Sequence, residues 1–282
     1  MRRVAGCRQA SHPAAGTGLP ARSCPSLTDD SMNLTGKTAI VTGAARGLGQ
    51  AYAQKMVEMG VNVVAADIAD CGETVAAAYG PGKIVGTNVD VASFDSAEAM
   101  AALACERFGG IDILVNNAAL YGSLTGGRIE TIAETDWDAC MAVNVKGLWN
   151  CAKAVIPSMR ERGGGSIINI SSLAAVYGLP YALHYSTSKG AVIGMTRAMA
   201  RELGRDWIRV NAIAPSAVLT EGTDEFFGEK KEKGMQVIAA SQSLQKNLET
   251  DDLVGTVLYL AGDASKFVTG QTIMVDGGTV YL

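Results

Sequence analysis

Short apolar runs rich in β-branched residues alternate along this chain with longer segments of helical character. No other feature restricts its fold as much. The runs fall at 38–41, 61–66, 84–89, 111–115, 166–170, 208–213 and 273–275, and helices are predicted at 47–59, 94–108, 137–159, 185–203 and 251–261. Gly60 stops the first helix and Gly109-Gly110 the second, where a residue that tolerates positive φ closes the last turn. Strands separated by helices are parallel neighbours, because a parallel pair needs a long crossover. The expected fold is therefore α/β: a single-domain, doubly wound parallel sheet with helices on both faces. Hydrophobic residues make up 48% of the 282 and charged residues 18%, enough for one sizeable core. The stretch 216–247 is polar and poorly patterned, and is expected to close over the strand ends.

Residues 1–31 stand outside this pattern. Pro13, Pro20 and Pro25 interrupt them and no periodicity runs through them, so a disordered N-terminal extension is expected, with one domain over 32–282. Their arginines, with no acid before Asp29, have the flavour of a transit peptide. Met32, directly before the first strand, makes a mis-assigned start the simpler explanation. A net charge of -4 offers no electrostatic case for nucleic acid or an anionic membrane, and no apolar run is long enough to span a bilayer. The six cysteines (Cys7, Cys24, Cys71, Cys105, Cys140, Cys151) form no Cys-x-x-Cys and no metal-ligand spacing with His12 or His184. They read as reduced thiols of a cytoplasmic protein with no metal site, Cys140 and Cys151 facing the core.

Three stretches carry chemistry. Thr42-Gly43-Ala44-Ala45-Arg46-Gly47-Leu48-Gly49 lies between a predicted strand and a predicted helix. In that context Gly43 permits a tight turn, Gly47 lets the backbone approach a pyrophosphate and Gly49 allows close helix packing, while the helix N-terminus offers free N–H groups. A dinucleotide is the expected ligand, on a Rossmann-like fold. Asp67 ends the second strand eighteen residues after Gly49, where a carboxylate hydrogen-bonds the adenosine ribose and repels a 2′-phosphate, favouring NAD over NADP. In Tyr185-Ser186-Thr187-Ser188-Lys189, tyrosine and lysine share a helix face. A nearby ammonium is expected to lower the Tyr185 pKa towards neutral, making it a general acid/base. Upstream, the apolar strand 166–170 ends in Ser171-Ser172, and Ser172 can hydrogen-bond a substrate oxygen while Ser171 points to the opposite face. His184, about 100° of helical rotation from Tyr185, is expected to be structural or a pocket wall.

Together with Asn116-Asn117-Ala118-Ala119 and Asn144, these motifs resemble the short-chain dehydrogenase/reductase family in its single-domain form, from about Leu34 to the C-terminus. The resemblance implies a catalytic set of Asn144, Ser172, Tyr185 and Lys189. Ser172 stands thirteen residues before Tyr185, the family's separation. Lys189 grips the nicotinamide ribose, and Asn144 holds a water joining Lys189 to solvent. Cofactor contacts are implied for Gly43, Arg46, Gly47, Leu48, Gly49, Asp67 and Ile68, with Asp90 and Val91 at the adenine. Asn117 and Ala118 belong to the ribose side, and Pro215, Val218 and Thr220 to the nicotinamide. Ala119 and Ser216 replace glycines usual in the family, so the pocket there is expected to be tighter. Arg46 points towards NADP, because a basic residue beside the second glycine accompanies NADP in many members. Asp67 is weighed above it. A homotetramer or homodimer is implied, joined partly through the long helices.

Substrate walls are expected from Tyr121, Leu173, Val176, Tyr177, Tyr181, Ser216, Phe226 and Phe227. Few are charged, which suggests an uncharged hydrophobic alcohol or ketone. Segments such as His184-Tyr185 and Gly194-Met195-Thr196-Arg197-Ala198 resemble 1-phenylethanol dehydrogenases. The leading expectation is an NAD-dependent oxidoreductase for a hydrophobic secondary alcohol. The alternatives are an NADPH-dependent 3-oxoacyl thioester reductase and, in another class, a non-catalytic NAD-sensing scaffold, against which the intact Ser172, Tyr185 and Lys189 speak.

Overall fold

The computed structural model describes residues 34–281, so the expected N-terminal extension over 1–31 lies outside the described residues. Seven parallel strands form one sheet: β1 (Thr38–Thr42), β2 (Asn62–Asp67), β3 (Ile84–Asn88), β4 (Ile113–Asn116), β5 (Gly165–Ile170), β6 (Ile208–Pro215) and β7 (Thr272–Val275). Their order is β3-β2-β1-β4-β5-β6-β7. The chain winds outward from β1 to β3, then returns to place β4 on the other side of β1, with Val41 level with Val115. Such a reversal opens a crevice at the carboxyl ends of the central strands, where open α/β sheets bind ligands.

The helices are α1 (Gly47–Glu58), α2 (Gly72–Ala77), α3 (Phe94–Phe108), α4 (Glu134–Met141), α5 (Leu148–Glu161), α6 (Ala174–Tyr177), α7 (Leu183–Leu203), α8 (Glu221–Phe227), α9 (Lys231–Ser241) and α10 (Asp251–Ala261). Alternate strand residues feed two cores. Val41, Val63 and Ile113 pack with Tyr52 and Met56 of α1 and Leu253 and Val257 of α10. Ile40, Val64 and Leu114 pack with Met100 of α3, Val155 and Met159 of α5 and Leu203 of α7. This period of two, with both faces buried, is why the strands read as continuous apolar runs. Cys140 and Cys151 are fully buried and unpaired, as expected of core thiols.

Two regions differ from the sequence reading. The single helix expected over 137–159 begins at Glu134, and a π-helical segment, Ala142–Gly147, separates α4 from α5. Asn144 sits in that segment, and a wider helical turn leaves no apolar signature in sequence. The stretch 216–247 contains α8 and α9. Each buries one residue, Thr223 in α8 and Met235 in α9, so neither presents the apolar stripe by which a helix is recognised. No helix among the described residues is long and apolar enough to cross a membrane.

The turn from β1 into α1 leaves no room for a side chain at Gly49. A Cβ at Gly49 would lie 2.0 Å from the Gly43 carbonyl oxygen, which only a shift of the loop backbone could relieve. Gly49→Ala is therefore expected to cost more than about 2 kcal/mol of folding stability, as overpacking against backbone does. Urea denaturation measures it, and a change below 0.5 kcal/mol, within the ordinary surface range of about ±0.5 kcal/mol, would show that the loop can open without penalty.

Candidate active site

The site is assembled where β5 ends beside the first turns of α7. Ser171 and Ser172 follow β5 directly. The Ser171 hydroxyl donates to the Lys189 carbonyl at 2.9 Å, and Ser171, expected on the opposite face, borders the same cavity as Ser172. The Ser172 hydroxyl accepts from the Ala174 amide at 3.1 Å, and Ser172 borders the same cavity as Tyr185. One helical turn on, Lys189 is buried and its Nζ donates to the Ile170 carbonyl at 2.8 Å, 5.7 Å from the centre of the Tyr185 ring.

The expectation that Lys189 lowers the Tyr185 pKa towards neutral is overturned in this protein environment. Burial pushes the phenol up to about 12, and the Ser172 hydrogen bond brings it only part of the way back. Burial also lowers the Lys189 ammonium to about 8. Desolvation is the largest cause of both shifts, and the Lys189 ammonium is hydrogen-bonded to the Ile170 carbonyl. The protein alone thus presents a protonated tyrosine.

Asn144, read as the amide holding a relay water, has its side chain fully engaged within the protein. Its Oδ1 accepts from the Leu120 amide at 2.7 Å, and its Nδ2 faces the Leu120 carbonyl at 3.0 Å, the Ser188 hydroxyl at 3.1 Å and the Cys140 thiol at 3.4 Å. It ties the loop after β4 to α7 one residue before Lys189. His184 is buried, its Nδ1 accepting from the Tyr185 amide at 2.9 Å, a structural role in the first turn of α7.

A cavity of about 260 Å³ gathers Leu48, Asn117, Tyr121, Ser172, Leu173, Tyr177, Tyr185, Lys189, Pro215, Ser216, Val218 and Thr220 from the expected site residues, and Phe226 and Phe227 from the expected walls. Tyr121 links Tyr185 to α8: its ring lies 5.0 Å from that of Tyr185 and stacks on Phe226 at 4.5 Å. Val176 and Tyr181, expected as walls, lie outside the cavity lining, and Tyr181 is 67% exposed. Leu179, Thr223, Ile238 and Ser241 line it too, from the stretches 173–181 and 216–247 where walls are expected though not singled out by residue, and Thr279 lies outside every expected stretch. Ile238 and Ser241 arrive on α9 and Thr279 from beyond β7, so only tertiary structure brings them there.

The remaining expected cofactor residues run along the strand ends beside this cavity. Asn117 bridges β1 and β4, its Nδ2 donating to the carbonyls of Thr42 at 3.0 Å and Gly43 at 3.1 Å, while the Thr42 hydroxyl accepts from the amides of Asn117 and Ala118. Asp67 accepts from the amides of Ala45 at 2.9 Å and Ala69 at 3.0 Å. Ile68 is 71% exposed beside it, Asp90 is exposed and Val91 packs on Gly147. Arg46 is engaged by Glu225 of α8. The loop fits a dinucleotide. Gly47 has φ +58, and a Cβ there would meet nothing nearer than Thr220 at 3.6 Å, so its backbone is open to a ligand. Arg46 precedes α1 with extended backbone, and the first turn of α1 carries no acid to oppose a phosphate.

A family model described as enoyl-(acyl carrier protein) reductase matches residues 43–280. The chain is 36% identical to a 3-oxoacyl-[acyl-carrier-protein] reductase of Thermotoga maritima, over 88% of this chain and all of that one. It is 38% identical to a (2S)-[(R)-hydroxy(phenyl)methyl]succinyl-CoA dehydrogenase subunit of Thauera aromatica, over 88% and 98%. The solved structure of a short-chain type dehydrogenase/reductase from Mycobacterium ulcerans superimposes with a TM-score of 0.82 at 27% identity, covering 88% of this chain and 90% of that one. This chain belongs to the short-chain dehydrogenase/reductase family, oxidoreductases that act on CH–OH groups with a nicotinamide dinucleotide.

The buried ammonium makes a testable mark on stability. Below pH 8 Lys189 is protonated in folded and unfolded chains alike, whereas between about 8 and 10.5 only the unfolded chain holds the proton. Stability conferred by this residue must therefore rise with pH through that window, by on the order of 2 kcal/mol. Urea unfolding at pH 8 and pH 10 should show the rise in the wild type relative to Lys189→Met. Parallel behaviour of the two proteins would mean that the ammonium is not desolvated.

Proposed function

We propose that this chain interconverts a hydrophobic secondary alcohol and its ketone with NAD. The observation that carries the reading is the convergence of Ser172 and Tyr185 on one cavity whose other walls are chiefly apolar and aromatic. An oxygen bound there meets two hydroxyl donors, and the carbon chain meets Tyr121, Leu173, Leu179, Phe226 and Ile238. Bound along the Gly43–Gly49 loop with Asp67 at the adenosine ribose, NAD supplies the hydride acceptor or donor. Tyr185 gives its proton to the carbonyl oxygen during reduction, a task suited to a phenol kept protonated by burial. Ser172 donates to the same oxygen and steadies its developing charge. Oxidation is the reverse: the alcohol proton passes to the Tyr185 oxygen, which must first have given up its own proton.

Asp67 supports NAD over NADP, since a carboxylate beside the ribose repels a 2′-phosphate. The second reading, an NADPH-dependent 3-oxoacyl thioester reductase, draws on the relative from Thermotoga maritima and on Arg46. The aromatic wall and Asp67 favour the first. By the same family reading the protein works in the cytoplasm as a homodimer or homotetramer.

Tyr185→Phe should reduce turnover by about 10²-fold or more, the scale of a lost general acid/base, with NAD affinity within about twofold. Steady-state rates and calorimetric NAD titration check it, and retained turnover removes Tyr185 from the chemistry. Asp67→Ala should narrow the preference for NAD over NADP in the same assays. An unchanged ratio would place ribose recognition elsewhere.

A further inference from the structure

Arg46 and Asp67 argue for opposite cofactors in the sequence, and the structure adds a third residue to that contest. Arg46 lies in the glycine loop next to Ala45, whose amide binds the Asp67 carboxylate, so its side chain springs from the ribose end of the cofactor site. The guanidinium is held from across the fold by Glu225 of α8, Nη1 to Oε1 at 2.5 Å and Nη2 to Oε2 at 3.0 Å. Glu221, on the same helix, and Asp67 also act on it, so three carboxylates face one cation. Glu221 reaches within 3.7 Å of where a Gly47 Cβ would stand, so this acidic group overhangs the loop itself.

A guanidinium binds a carboxylate or a phosphate through the same planar fork of donors, and one engaged bidentately by Glu225 has little left for a phosphate. We propose that Glu225 is a specificity-determining residue, withholding Arg46 from a 2′-phosphate and thereby biasing the site to NAD. The inference rests on the NAD reading above and goes beyond it. A 2′-phosphate must break the Arg46–Glu225 pair and then lie near Glu221 and Asp67, whereas a 2′-hydroxyl needs neither. The device also joins cofactor and substrate recognition, because Phe226, the residue after Glu225, stacks on Tyr121 over the catalytic tyrosine. A cofactor that pulled Arg46 away would loosen α8 and with it the aromatic wall.

Both partners are partly exposed, 57% and 42% by side chain, so the effect is modest. Freeing one exposed bidentate arginine should tighten NADPH by roughly fivefold. The test is equilibrium binding of NADH, NADPH and the fragments 2′,5′-ADP and 5′-ADP, by calorimetry, to wild type, Glu225→Gln and the double variant Arg46→Gln/Glu225→Gln. Melting curves check that each variant is folded, and Glu225→Ala serves as a second replacement. The expected result is that Glu225→Gln tightens NADPH and 2′,5′-ADP, leaves NADH and 5′-ADP within about twofold, and loses the gain when Arg46 is also replaced. A wild type that prefers NADH, with Glu225→Gln leaving NADPH unchanged, overturns this inference and spares the NAD reading. A wild type that prefers NADPH, with Glu225→Gln tightening it further, supports the role of Glu225 while the NAD reading falls. A gain that survives loss of Arg46 also overturns the inference, since general charge removal would then explain it.

Discussion

Two reciprocal hydrogen bonds between the end of β5 and α7 hold the site together. The Ser171 hydroxyl donates to the Lys189 carbonyl, and the Lys189 ammonium donates to the Ile170 carbonyl. Each element thereby satisfies a buried group of the other. The consequence is positional: with strand and helix locked in this register, Ser172 and Tyr185 open on the same cavity. The contact has a cost. An ammonium taken out of water loses solvation that one carbonyl cannot replace, which is why burial lowers Lys189 to about 8; a buried phenolate would lose its solvation likewise, which raises Tyr185 to about 12. The fold carries that cost in Lys189 and Tyr185 themselves.

The rest of the crevice is held by side chains that belong to two elements at once. Asn117 and Thr42 join the ends of β1 and β4, the strands between which the winding reverses. Asn144 joins the loop carrying Leu120 to Ser188 of α7, from within a π-helical segment that interrupts an otherwise continuous helix. Asn144 is buried and bonded through both its amide oxygen and its amide nitrogen, while half-buried Asn117 donates to two carbonyls, arrangements that fix geometry more than they add stability. Over this rigid base lies α8. It is attached by an aromatic stack at Phe226 and an ion pair at Glu225, contacts that exchange more readily than a packed core.

Local chemistry made much of this legible in the sequence. The apolar runs marked all seven strands because a sheet buried on both faces needs them. Gly43, Gly47 and Gly49 and the pair Tyr185 and Lys189 announced themselves by spacing. What escaped depends on distance through space. The expected pull of Lys189 on Tyr185 treated both as solvated, whereas burial dominates each. The helices over 221–241 bury so little that no periodicity betrays them. Arg46 was legible as a cation, yet its carboxylate partner lies 179 residues away, a relation that spacing does not encode.

The claim on which everything else depends is that Ser172 and Tyr185 work on a hydrophobic secondary alcohol with NAD. Nicotinamide absorbance tests it most directly, with purified protein, NAD or NADP, and a panel containing 1-phenylethanol, cyclic alcohols, sugar alcohols and 3-hydroxyacyl thioesters. The account predicts that NAD is reduced with the apolar secondary alcohols and that sugar alcohols are inert. Turnover confined to NADP with the thioesters would contradict it.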